Sequence, residues 1–154
     1  IEIVLGYMIG GSLRGLIVAL SIIVVIFPVI GLYPENPLIL FAFILIASVK
    51  LSLLGIVAGI VSHKFDHMQA LTNFVITPLS FLSGTFYSIK ILPDILADIT
   101  RYNHIFFLID GIRYGCLGYS EGNPLSSFFW SIVLCAGLIY LCTYWVSVGY
   151  KLKQ

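Results

Sequence analysis

Thr77-Pro78-Leu79-Ser80-Phe81-Leu82-Ser83-Gly84-Thr85-Phe86-Tyr87-Ser88, followed by Leu92-Pro93 and then by Ile109-Asp110-Gly111-Ile112-Arg113-Tyr114-Gly115, is an ordered string of proline, serine, glycine, aromatic and charged residues set among long apolar stretches. An inert membrane span needs no such mixture. The surrounding chain decides the solvent. Of 154 residues, 60% are hydrophobic and 10% charged, and the mean hydropathy is +1.07. A soluble domain carries about 25% charge, so this chain has too few polar groups to cover its apolar surface, and a bilayer takes the place of water. The formal net charge is +1, which points to no nucleic-acid partner.

Working outward from the string, four stretches meet the roughly 20 apolar residues that a spanning helix needs. They run over about 13–32, 38–61, 70–89 and 126–148. Tyr33-Pro34-Glu35-Asn36-Pro37 is a turn, since two prolines, an acid and an amide do not continue a helix. His63-Lys64-Phe65-Asp66-His67 is a polar loop. Four spans put both ends and this loop on one side, with Arg14, Lys64, Lys151 and Lys153; the other side holds Lys90, Arg101 and Arg113. The first group lies immediately at span ends, so the termini are expected in the cytoplasm. Tyr87, Tyr102, Tyr114, Tyr119 and Trp130 suit an outer interfacial belt, and Tyr144, Trp145 and Tyr150 an inner one.

The stretch 92–118 is too polar to span and too apolar for a free loop. Leu92-Pro93-Asp94 starts a helix well, and Ile95, Leu96, Ile99 and Tyr102 then share a face. Asn103-His104 breaks it, and 105–115 reads as a second short helix. Together they predict a helical hairpin that dips in from the outer face, because backbone at membrane depth must satisfy itself internally. The fold expected is an all-α membrane protein, a single domain over 1–154, with four transmembrane helices and an outer re-entrant hairpin.

The order of these parts resembles the ABC-2 type permeases, the membrane subunits of ATP-driven exporters. Glu2, Gly6, Tyr7, Gly10 and Gly11 match the family's E-x-x-x-G-(Y/K)-x-x-G-G pattern, and Lys64-Phe65-Asp66, Pro78–Gly84–Phe86, Leu92-Pro93 and Asp110-Gly111-x-Arg113-Tyr114-Gly115 follow in family order. Two departures stand out: the family commonly has Asn-Pro where this chain has Asn103-His104, and Lys50 belongs to no family pattern. The resemblance implies the C-terminal part of a six-helix permease, with the first two helices and an N-terminal cytoplasmic helix preceding Ile1. No basic segment with a short apolar run and cleavage site opens the chain, so no signal peptide is expected in it.

By resemblance, the chain is a transport subunit of a bacterial inner membrane, paired with a second copy and driven by a separate cytoplasmic ATPase that holds ATP and Mg²⁺. No cofactor is expected on the chain itself. Gly10-Gly11-Ser12-Leu13-Arg14-Gly15 lacks the spacing and the lysine of a triphosphate-cradling loop. The substrate class implied is a drug, a lipid or a polysaccharide. Two other classes compete. An ion-coupled secondary transporter would need acids within the spans, and a lipid-modifying enzyme a convergent His/Asp/Glu set; neither pattern is present.

Candidate transport or gating residues are Lys50, Pro78, Gly84, Asp110 and Arg113. Lys50 is a charge at mid-bilayer, where such residues mark pathways or protein interiors, while Ser48 and Ser52 point to other faces of its helix. Asp110 and Arg113 are three apart and can pair on a helix. Pro78 and Gly84 loosen the third span. Candidates for coupling to the ATPase are Glu2, Gly6, Gly10, Lys64, Phe65 and Asp66. His63, Asp66 and His67 lack a third metal ligand and read as a solvated loop. Gly55-x-x-x-Gly59 with Ser48 and Ser52, and the Gly6–Gly10 and Gly11–Gly15 pairs, predict close helix packing. Cys116, Cys135 and Cys142 read as small hydrophobes.

Overall fold

The structure, a computed structural model, describes residues 2–31, 33–62, 65–85, 100 and 103–149. The short helix expected over 92–102, Phe86, His63, Lys64, Lys90, Arg101, Lys151 and Lys153 lie outside the described residues, as does the side chain of Phe65. Among the described residues every regular element is a helix.

Helix α1 (Glu2–Ile30) runs without a break through the glycines at its start. It therefore carries the Glu2–Gly11 pattern in its first turns, ahead of the stretch read as a span. Pro28 falls in the last turn, and Gly31 ends the helix with φ of 69°, a left-handed conformation that glycine adopts without a Cβ clash. Helix α2 (Pro37–Val61) begins with proline at its first position, where the missing N–H has no helical partner in any case.

The third apolar stretch is helical but irregular. It comprises α3 (Phe65–Leu71), a π turn (Thr72–Ile76), α4 (Thr77–Ser80) and a second π turn (Phe81–Thr85). Pro78 cannot donate to the ladder, and the backbone N–H of Thr77 reaches back five residues to Thr72 O, which its hydroxyl also contacts at 3.0 Å. The run breaks at Ser83 and Gly84, the latter with φ of 75°. Pro78 thus lies in the short regular segment between the two π turns, and Gly84 lies in the second of them.

Helix α5 (His104–Leu117) is capped by Asn103, whose Oδ1 accepts from Ile105 N at 3.0 Å, and is closed by Gly118 with φ of 66°. Helix α6 (Pro124–Val148) is capped in the same way, Asn123 Oδ1 accepting from Leu125 N at 3.1 Å. Helices α1, α2 and α6 are long and apolar enough to cross a membrane.

Helix α2 is the centre of the packing. Helix α1 lies antiparallel to it, Gly11 against Ser52 and Gly15 against Ser48; a Cβ on Gly15 would stand 2.9 Å from Ser48 Oγ. Ser52 Oγ also donates to Met8 O at 3.2 Å. Helix α6 runs parallel to α2 and closes a core of Val4, Leu53, Cys135 and Cys142. All three cysteines are free thiols, the two in this core buried. Gly55, Gly59, Gly6 and Gly10 meet nothing within 4 Å, so only the Gly11–Gly15 and Ser48–Ser52 part of the predicted small-residue packing forms within these helices.

Helix α5 lies antiparallel along the N-terminal half of α2. Gly111 takes the ring of Phe43, and Gly115 takes the backbone of Leu40, whose Cα would be 2.7 Å from a Cβ there. Asn36 N then donates to Gly115 O at 3.0 Å, tying the start of α2 to the end of α5.

This contact leaves no room for a side chain. Gly115→Leu should destabilise the purified protein by at least about 1–3 kcal/mol, the usual cost of overpacking, seen as a lower unfolding midpoint. Gly55→Leu, facing open space, should change stability by no more than about 0.5 kcal/mol.

Candidate functional site

The site is built on the two ends of α5. Its first residue, His104, lies beside Lys50, thirteen positions into α2 from Pro37, about 20 Å at 1.5 Å per residue. Lys50 is 3% exposed, and its Nζ donates to His104 O at 3.2 Å. Asn103 turns the chain here with both ends of its amide: Oδ1 caps α5, and Nδ2 donates to Leu79 O at 2.7 Å. The start of α5 is thereby fastened to α2 through Lys50 and to α4 through Asn103. A cavity of about 500 Å³ opens beside these groups, lined by Lys50, Leu54, Val57, Val75, Leu79 and Leu138 among others.

The middle and second half of α5 carry the charges. Asp110 is fully buried. Its Oδ1 accepts from Glu121 N at 2.8 Å and its Oδ2 from Gly122 N at 3.0 Å, so the carboxylate holds the loop that leads into α6. A Cβ on Gly122 would stand 3.2 Å from Asp110 Oδ2, so that glycine permits the approach. Arg113 lies 3.5 Å from Asp110 Oδ1 and 3.7 Å from Glu121 Oε2, and its second guanidinium nitrogen donates to Gly84 O at the break of the third helix. Four segments meet at this point: the end of the irregular helix, α5, the 118–123 loop and the start of α6. At the C-terminal turn, burial pushes the Cys116 thiol up.

Of the residues singled out from sequence, Asp110 and Arg113 lie on α5, Gly84 is bonded to Arg113, and Lys50 is bonded to the first residue of α5. Pro78 is exposed in α4, next to Leu79, whose carbonyl Asn103 holds. Glu2, Gly6, Gly10 and Asp66 are exposed on α1 and α3, away from this cluster. Gly10 shares a groove with Tyr7, Ile60 and Met68, which brings α1 and α3 to one cleft. The Asp110–Arg113 pair is present, but each partner makes its main bond elsewhere, the carboxylate to backbone N–H groups and the guanidinium to a backbone carbonyl. Sequence reasoning did not find the roles of Asn103, Glu121 and Gly122. An Asn directly before a helix is a capping signal, whereas the 121–122 backbone carries none that side-chain chemistry could reveal.

A model of the ABC-2 type transporter family matches residues 1–117. Similar curated proteins are the inner membrane transport permease YadH of Escherichia coli K12 and the protein of the same name from Shigella flexneri, each 28% identical over 152 residues. Those alignments cover 99% of this chain and 59% of the relative, so the chain spans about three-fifths of the length of the curated relatives it matches. No solved structure is significantly similar to it.

Because the Asp110 carboxylate is buried on backbone donors, Asp110→Ala should cost about 3–5 kcal/mol, the range for uncovering a buried charged group's partners. Arg113→Gln should cost less, about 1–3 kcal/mol, since a charge-assisted bond to Gly84 is lost at a partly exposed site. The double mutant should fall short of additivity by about 0.5–3 kcal/mol in a thermal-stability cycle. Strict additivity would mean the two side chains do not act together.

Proposed function

The chain belongs to the ABC-2 type transporter family, and we propose that it forms the substrate path of an ATP-driven exporter in a bacterial inner membrane. The family match over residues 1–117 carries this reading. It is supported by three helices apolar enough to span and by relatives named as inner membrane transport permeases.

In this reading the irregular run from Phe65 to Thr85, 21 residues by its bounds, is a fourth span. The start of α2, the Asp110 cluster and the loop before α6 lie at the outer face. Helix α5 is then the returning limb of a re-entrant hairpin, and Lys50 marks its deepest point. The ends of the chain and the loop between α2 and α3 are cytoplasmic.

A soluble ATPase supplies ATP, Mg²⁺ and the catalytic residues; a second copy of the permease completes the path. Closure of the ATPase pair pushes on the start of α1, at Glu2, Gly6 and Gly10, and on Lys64-Phe65-Asp66. The π turns around Pro78 give the third helix a place to bend, since each replaces a regular rung of the ladder. At the top of that helix Gly84 is held by Arg113, and Arg113 by Asp110 and Glu121. A bend that draws Gly84 away from Arg113 releases the outer end of the path, and the cluster recloses it. The exported molecule is a drug, a lipid or a polysaccharide.

Full-length permease purified without its ATPase should hydrolyse no ATP, and turnover should appear only when the partner ATPase is added; turnover by the permease free of contaminating ATPase would sink this reading. Orientation has its own test, in a background lacking Cys116, Cys135 and Cys142. Cysteines placed at Glu35 and Tyr119 should react with an impermeant maleimide added outside cells, and one at Lys64 should react only after permeabilisation. The reverse pattern would overturn the topology.

A further inference from the structure

Among the described residues, the cavity beside Lys50 differs from two other clefts in one chemical respect. The cleft near the start of α2, lined by Leu38, Phe43, Tyr114 and Phe128 among others, has no charged residue in its lining. The groove between α1 and α2 has Arg14, which is exposed to its surroundings. The third, of about 500 Å³, holds a lysine that is 3% exposed.

An ammonium has three donors. Among the described residues the only hydrogen bond of Lys50 goes to His104 O, and no carboxylate lies within ion-pair distance of it. An ammonium removed from water without a counter-charge is costly. Asn103, the other polar group at this end of the cavity, is already committed at both its amide atoms. The first turn of α5 lies at the same place, and the positive end of its dipole adds to the lysine charge. From there the lining becomes apolar and follows α2 to Val61, eleven residues or about 16 Å further on. The opposite wall is the irregular helix, contributing Val75 and Ile76 from the first π turn.

We propose that this cavity is a binding site for an anionic amphiphile, a molecule with one acidic head on a long apolar chain. The head meets the Lys50 ammonium at the start of α5. The chain lies between α2, the π turn and α6, against Leu54, Val57, Val75 and Leu138. Charge complementarity selects the head, and the length of the apolar lining selects the chain. Occupancy adds contacts across the irregular helix, so a bound chain resists the bend that the exporter reading assigns to it.

The test is made on purified full-length permease in nanodiscs of neutral phosphatidylcholine, without ATPase and without transport. Its failure would therefore leave the permease reading standing. A palmitate carrying a diazirine in its chain is photolysed with the protein, and the labelled peptides are mapped by mass spectrometry. Labels should fall on the segments bearing Leu54, Val75 and Leu138 and should be competed by palmitate but not by hexadecanol. Lys50→Gln should weaken labelling about tenfold or more, as expected for loss of a bond to a charged group, and Lys50→Arg should retain it. Competition by hexadecanol as strong as by palmitate, competition by acetate or inorganic phosphate alone, or labelling unchanged in Lys50→Gln would each overturn the proposal. The palmitate and hexadecanol comparison uses the wild-type protein, so it stands even if the glutamine variant does not fold. Adding phosphatidylglycerol to the nanodiscs separates two sources: competition names a bilayer lipid as occupant, and its absence with competition by palmitate names a single-chain acid.

Discussion

Packing a fourteen-residue helix among long apolar helices takes polar groups at its two ends away from water, and partners inside the protein must meet them. Much of the structure follows from that constraint on α5. At its start, Asn103 and Lys50 take up polar groups that water would otherwise serve. At its end, Gly118 turns the backbone, and the last carbonyls receive N–H groups from Glu35 and Asn36. In between, Asp110 accepts the two N–H groups of the following loop. An isolated carboxylate there would be expensive, but backbone donors and the nearby Arg113 make it a fixed point that sets where α6 begins.

Close approach is the second requirement, and glycine meets it. In lipid there is little hydrophobic gain from bringing helices together, so contact area and short polar bonds decide which pairs form. The pair α1 and α2 uses Gly11 and Gly15 against two serines; α2 and α5 use Gly111 and Gly115 against Phe43 and Leu40. Both contacts are made by α2, on different faces, which is why α2 has more buried residues than any other described helix, the lysine among them. A rigid centre and an irregular neighbour result. The run from Phe65 to Thr85 is joined to that centre through α5, by the Asn103 bond to Leu79 and the Arg113 bond to Gly84. Motion of that run must therefore be felt at both ends of α5.

The sequence by itself determined the membrane as solvent, the all-helical class and the family. Composition and stretch length are one-dimensional properties, and a string such as Pro78–Gly84 followed by Asp110-Gly111-x-Arg113-Tyr114-Gly115 survives in order without any knowledge of contacts. It also placed the start of a helix near Asn103-His104, where α5 begins. The tertiary structure decided the partners. Helical spacing could pair Asp110 with Arg113, but not reveal that the carboxylate holds the backbone of residues 121 and 122, or that the guanidinium reaches Gly84, 29 positions earlier. Hydropathy could place Lys50 in mid-span, but not beside His104, 54 positions later. Small-residue spacing marked Gly55 and Gly59 as readily as Gly11 and Gly15, and only packing separated the two pairs. A backbone group has no sequence signature, and a helix face has no partner until the chain has folded around it.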